Sequence, residues 1–328
     1  MAIYHCTTKT INRSSGRTAV AASAYRSGGK LKDERTGLTH DFTKKEGVAH
    51  SEIISNLGVP IDRSDLWNMA EQAENRKDAR TAREWVIALP DELDANDRKE
   101  LARDFARNLV NKYGVVADLA IHEPSKGGDD RNHHAHIMLT TRKAVLHGND
   151  IKLTDKADIE LSNAKRSKLG LGTTQEDIKA VRQMWAEVAN NALERAGQRQ
   201  KIDHRSYADQ NSQLQPTIHE GNAVTQLRRQ GIETEISRYN DRVKQSNTKG
   251  IEQEQARNTD VLDTGLTRAN NRLEQWQKNQ EAKRQEKERL EQLKRLEQLK
   301  RQQELEKQRA EQASRQSSRS SSKGGWSR

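Results

Sequence analysis

Apolar and polar positions recur with two different periods along this chain. Residues 2–7 (AIYHCT) form a short apolar run that predicts a strand, and polar INRSSG after it predicts a loop. GRTAVAASAYRSGG then predicts an alanine-rich helix, with Thr18 placed to help start it and Gly28–Gly29 to stop it. ERTGLTHDF (34–42) reads as a hairpin around Thr36–Gly37. SDLWNMAEQAENRK (64–77) predicts a helix with Ser64 as N-cap. REWVIALP (83–90) predicts a strand ended by Pro90. Over 91–113, Leu93, Leu101, Phe105, Leu109 and Tyr113 recur at helical intervals. VVADLAIHEP (115–124) and HHAHIMLTT (133–141) predict two strands joined by the polar loop SKGGDDRN. Residues 174–197 predict a helix with Val181, Trp185, Val188 and Leu193 on its apolar side. Strands interleaved with helices, and two successive strands joined by a short loop, imply an α+β domain. Its expected form is an antiparallel sheet with flanking helices, over residues 1–221.

Beyond residue 221 the pattern changes. Residues 267–314 are dominated by Gln, Glu, Lys, Arg and Leu and contain no Gly or Pro, which places a charged helical region at 222–314. LEQLKR occurs twice in succession, spacing Leu290, Leu293, Leu296 and Leu299 by three. A strict spacing of three drifts around a helix, so a solvated helix or weak coiled coil is expected rather than a stable zipper. The basic Ser-rich tail, 315–328, is expected to be disordered.

Composition narrows the function. Of 328 residues, 32% are hydrophobic and 32% charged, and the formal net charge is +10. Such a basic excess points to a polyanion, nucleic acid before membrane. One cysteine, Cys6, excludes an intrachain disulfide framework and a CxxC zinc site. The N-terminus lacks a signal-peptide pattern and no apolar run approaches the ~20 residues needed to span a bilayer, so a cytoplasmic protein without membrane insertion is expected.

RNHHAHIMLT (131–140) sets three histidines within four positions. Side chains alternate across a strand, so His134 and His136 share a face and His133 points the other way. Folding back about the SKGGDDRN loop brings His122 opposite the start of the second strand. His122, His134 and His136 can then converge on one divalent ion, with positions left open for water or substrate. Mn²⁺ or Mg²⁺ is expected first, and Zn²⁺ also suits three imidazoles. His133, His40, His50 and His147 are expected to be surface or packing residues. Such a metal on a basic protein suggests phosphate chemistry, with either water or a protein hydroxyl as nucleophile. Among five tyrosines, Tyr25 stands apart: it sits near the end of the alanine-rich helix, with Arg26 and Lys30 placed to contact phosphate.

GRTAVAASAYRSGG, DLAIHEP…RNHHAHIMLTTR and IDHRSYADQNSQLQPTIHEG (202–221), in that order, resemble the MobA/MobL family of plasmid mobilization relaxases, within the HUH group of single-strand DNA endonucleases. The resemblance spans roughly residues 1–221. It implies that the tyrosine matching Tyr25 attacks a phosphodiester at the nic site of oriT, the transfer origin, leaving a 5′-phosphotyrosyl bond and a free 3′-hydroxyl. It implies metal ligation by His122, His134 and His136. The small Ala135 stands between the paired histidines, and His133 occupies a place where the family often has proline. An acidic residue in the segment matching REWVIALP is expected to act on the tyrosine or on a metal histidine, and Glu84 is the candidate. Asp118, sharing a strand face with His122, is a weaker candidate for a similar supporting role. Arg142 joins Arg26 and Lys30 as an expected DNA contact. Accessory mobilization proteins and a type IV secretion coupling protein are the implied protein partners. Two other readings fit the same residues: a rolling-circle replication initiator of the HUH group, and a non-catalytic DNA-binding accessory protein with a structural metal.

Overall fold

The computed structural model describes residues 4–125, 129–148, 150–210 and 212–320, and over much of the last helix the backbone alone. The chain divides into two units, Met1–Ser206 and Tyr207–Arg328, the first ending short of the expected boundary at 221. In chain order the first unit contains β1 (Cys6–Asn12), α1 (Ala19–Ser27), β2 (Lys30–Lys32), β3 (Thr39–Asp41), β4 (Val48–Ile54), α2 (Arg63–Gln72), β5 (Arg80–Ala88), α3 (Ala95–Tyr113), β6 (Ala117–His122), β7 (His134–Thr140), β8 (Arg142–His147), β9 (Asp150–Lys156), α4 (Asn163–Lys168) and α5 (Thr174–Arg195). The expected α+β architecture is present. Five strands form one sheet in the order β1-β5-β7-β6-β4, every neighbouring pair antiparallel. The pairs β2–β3 and β8–β9 form separate hairpins.

Several local readings shift. The first strand starts later than AIYHCT and takes in Ile11 and Asn12 of the expected loop. It is a sheet edge, so its polar residues can alternate into solvent, and an apolar run is a poor guide to its bounds. The N-cap of α2 is Asp62, which accepts from the Asp65 amide at 3.0 Å, and Ser64 falls inside the first turn. That helix ends at Gln72, where the Arg13 guanidinium donates to the Glu71, Glu74 and Arg76 carbonyls. The strand β4 and the β8–β9 ribbon were not expected.

Strand parity sorts the sheet into two faces. Trp85, Ile87, Leu119, Ile121, Ala135 and Ile137 point toward α3 and α5 and are buried there. Phe105 of α3 meets Trp185 of α5 edge-on, ring centroids 5.0 Å apart. The intervening residues, Glu84, Asp118, His122, His134 and His136, lie on the opposite face, where α1 and α2 pack. A smaller apolar cluster of Ile11, Val20, Trp67, Ala82 and Met138 seats those two helices.

In the second unit, α6 (Gly221–Arg229) precedes α7 (Glu235–Ser320), a single helix that begins well before the charged run at 267. Asn240 and Asn247 of α7 each bond both the amide and the carbonyl of one residue, Ile218 and Gln215 respectively, at 2.8–2.9 Å. The side chains of the LEQLKR leucines and the tail 321–328 lie outside the described residues. Among the described residues, no helix is long and apolar enough to cross a membrane.

Candidate active site

The site begins with how α1 is held. Thr18 accepts from the Ala21 amide at 2.9 Å and starts the helix. Gly28 ends it at φ 64°, a left-handed conformation that suits glycine. A Cβ there would also lie 3.3 Å from Val48, so α1 ends hard against β4. Two buried carboxylates fix the helix between these ends. Glu71 accepts from the Ala19 amide at 2.7 Å and is neutralised by Arg13. Asp118 accepts from Ser23 Oγ at 2.6 Å, from Trp67 Nε1 at 2.8 Å and from Arg63 at 3.1 Å. Asp118 therefore braces the α1–α2 pair, and none of these hydrogen bonds goes to a histidine, unlike the supporting role its strand face implied.

That bracing presents Tyr25 at the last turn of α1, 49% exposed. Its ring stacks edge-on against Phe42, centroids 5.2 Å apart. Lys45 Nζ lies 3.9 Å from the ring centroid and donates to the Tyr25 carbonyl at 2.8 Å.

The three histidines meet as strand register requires. His122 pairs directly with His134 across β6–β7, and His136 sits two residues further along the same face. Their ring centroids are 4.8–5.3 Å apart, and one nitrogen from each lies within 4.8 Å of the others. His133 is outside the group: its Nε2 is 3.5 Å from Asp91.

Each clustered ring spends its other nitrogen on an acceptor. His122 Nε2 donates to the Arg26 carbonyl at 2.7 Å, His134 Nδ1 to the Asn132 carbonyl at 3.0 Å, and His136 Nδ1 to Glu84 at 2.7 Å. These acceptors hold no proton to give, so each fixes one ring proton and leaves the opposite nitrogen as a lone-pair donor. Burial pushes the His122 imidazole down to about 4, against the pull of its Arg26 hydrogen bond. Burial also lowers His136, with Glu84 opposing it. Neutral imidazoles are the form a divalent ion needs, and with a lone-pair nitrogen free on each of the three rings the donor set fits one.

Glu84 lies on β5, an interior strand, and is fully buried. Burial opposes its ionisation, but hydrogen bonds from His136 and Arg26 outweigh that and hold the carboxyl well below the usual range. Lys9, across the β1–β5 pair, adds a contact at 3.1 Å. Of the two roles weighed for Glu84, orienting a histidine is the one its hydrogen bonds fit.

The expected DNA contacts fare differently. The Arg26 guanidinium is committed inward, to Glu84 and to the Ala22 carbonyl. Arg142 is likewise held by Glu74 at 2.8 Å and the Thr154 carbonyl at 2.7 Å, which ties the β8–β9 ribbon to α2's end. Neither side chain is free to take phosphate in this arrangement. Lys30 is exposed and faces Asp41 at 3.3 Å across the β2–β3 hairpin. Lys45, Lys9 and Glu71 were not found from the sequence. Each is defined by a partner 20 or more residues away in the chain, which no local pattern shows.

The arrangement joins an exposed phenol to a trihistidine cluster through one residue. Arg26, next to Tyr25, gives its carbonyl to His122 and its guanidinium to the carboxylate that holds His136. Mobilization protein MobL of Acidithiobacillus ferridurans is 38% identical over 262 residues, which cover 73% of this chain and 67% of that protein. A probable mobilization protein MobA of Bifidobacterium longum is 31% identical over 277 residues, and this chain spans about half of its length, 48%. A solved structure described as the molecular basis of vancomycin resistance transfer in Staphylococcus aureus superposes with a TM-score of 0.52 at 30% identity, covering 63% of this chain and all of that one. The model of the MobA/MobL family matches residues 17–230, most of the folded part, and the chain belongs to that family.

Proposed function

We propose that this protein is a DNA relaxase: it nicks one strand of a plasmid transfer origin by transesterification and starts mobilization of the cut strand. The observation that carries this reading is the Arg26 link between Tyr25 and the histidines. It ties a candidate nucleophile to the candidate metal cluster on the same buried frame.

Tyr25 is assigned as nucleophile. Its phenolic oxygen attacks the scissile phosphorus and loses its proton. The P–O3′ bond breaks, and the 3′-oxygen leaves and takes up a proton. One phosphodiester is exchanged for another, so rejoining needs no ATP. His122, His134 and His136 are assigned as the residues that hold a divalent ion, Mn²⁺ or Mg²⁺ first. When bound, that ion supplies a positive charge that polarises the phosphoryl oxygens. Glu84 is assigned to keep His136 correctly turned, while burial keeps the ring neutral against the pull of that carboxylate. Asp118 and Glu71 hold α1 so that Tyr25 is delivered without a search, and a nucleophile held in place removes much of the entropic cost of attack. Substrate DNA would be single-stranded or supercoiled, since the scissile strand must leave the duplex. The nicking activity is assigned to residues 1–221. The charged helix beyond is assigned to contacts with accessory or secretion proteins.

A supercoiled plasmid carrying the DNA that flanks the gene tests this. Wild-type protein with Mn²⁺ should relax it and leave protein attached to the 5′ end through SDS treatment. Tyr25→Phe should form no adduct while keeping its fold, because the lost hydroxyl is exposed. An adduct formed by Tyr25→Phe would remove Tyr25 from the mechanism, and nicking without any adduct would make the enzyme a hydrolytic nuclease.

A further inference from the structure

Among the described residues, Lys45 lies against Tyr25 with no carboxylate partner. Arg26 and Lys9 both pair with Glu84. The Lys45 Nζ instead meets the Tyr25 carbonyl, at 2.8 Å, and the Tyr25 ring. An ammonium in a partly desolvated place without a counter-charge is costly, and burial, with nearby Arg26, pulls Lys45 down to about 8. Proteins keep such a group where an anion will meet it.

The backbone around Lys45 is built to hold it there. The Lys45 amide donates to the Phe42 carbonyl at 2.9 Å, closing a turn, and the Phe42 amide donates to the Gly29 carbonyl at 3.0 Å, just past α1. Phe42 itself stacks on Tyr25. At the other end of the loop, the Glu123 amide donates to the Gly47 carbonyl at 2.9 Å, one residue beyond His122. The loop 42–47 thus runs from the nucleophile to the histidine strand, with Lys45 between them.

We propose that Lys45 binds the DNA phosphodiester on which Tyr25 acts, supplying through Nζ the second positive charge at the reaction centre. This rests on the relaxase reading above. The phosphate takes the place of the missing carboxylate partner, and the carbonyl contact keeps the ammonium aligned with the phenol. A lysine in this role acts as a point charge and can follow the phosphoryl oxygens as negative charge builds on them.

The test uses full-length protein and a single-stranded oligonucleotide spanning the nick that wild type makes in supercoiled DNA. Lys45→Met and Lys45→Arg are compared for cleavage rate, and for salt dependence of binding in a Tyr25→Phe background where no adduct forms. Circular dichroism and Mn²⁺ titration check that each variant keeps its fold and metal. Lys45→Met should cleave about 100-fold more slowly. Its log–log salt slope should shrink by about 0.7, the loss of one phosphate contact on single-stranded DNA. Lys45→Arg should restore the slope and part of the rate. Wild-type rate and slope in Lys45→Met would overturn the proposal while leaving Tyr25 in place. A slower rate with an unchanged slope would also overturn it, reducing Lys45 to a brace for Tyr25. If wild type makes no nick at all, the relaxase reading fails and this proposal with it.

Discussion

The two faces of the central sheet use the same strands and obey opposite rules. Toward α3 and α5, Trp85, Ile87, Leu119 and Ile137 are buried among Phe105, Leu109 and Trp185 by contacts that have no direction. Toward α1 and α2, Glu84, Asp118 and His122 are also buried, but each is held by specific partners. Apolar burial rewards volume and forgives small shifts. A buried charge network gives little net stability and fixes geometry strictly, because any lost partner leaves a desolvated group behind. One face therefore keeps the domain folded, and the other keeps α1, and so Tyr25, in register with the histidines.

Substitutions that strike one face at a time sharpen this division. The largest stability loss should come from Phe105→Ala, about 3–5 kcal/mol by chemical denaturation, from lost burial plus the cavity it leaves. Mn²⁺ binding by the fraction still folded should be normal. A normal denaturation midpoint would show that this face is not the core.

Asp118→Asn should cost less, about 1–3 kcal/mol, and should slow nicking more than it destabilises. It frees Ser23 and Arg63 without touching a histidine. An unchanged nicking rate would show that α1 does not depend on this anchor.

Smaller still is the effect of acid on the metal-free protein. The His122 imidazole is lowered from 6.5 to about 4 by burial, so its contribution is complete above pH 6.5 and disappears as pH falls toward 4. By about pH 5.5 roughly 1 kcal/mol should be gone. Denaturation across that window in the presence of chelator checks this, and His122→Asn should flatten the slope. A slope unchanged in His122→Asn would assign the acid sensitivity elsewhere.

Much of this division could be read in the sequence, because it rests on local rules. Thr18 and Gly28 bracket α1 with residues suited to a cap and to a positive φ. Alternation in HHAHIMLTT separates His133 from His134 and His136, and a short loop places His122 opposite them. What was hidden depends on contacts between distant segments. β4 is defined by pairing with β6, and its residues VAHSEII mix polar and apolar without a clean period. The β8–β9 ribbon is mostly half-exposed, so no apolar stripe marks it. Arg26 and Arg142 look like DNA contacts in a basic sequence, and only the fold reveals the carboxylates that consume them. Asp118 shares a strand face with His122, but the face is long enough for α1 to claim the aspartate and leave the histidine to Arg26.

The central claim is that one face of β6 and β7 assembles a metal site from residues two apart and directly opposite. Calorimetric titration of Mn²⁺ into wild type, His134→Ala and His133→Ala tests it most directly. The two substitutions are adjacent in sequence and chemically identical. His134→Ala should lose most of its metal affinity, and His133→Ala should bind as wild type does. Equal losses in both would contradict the account.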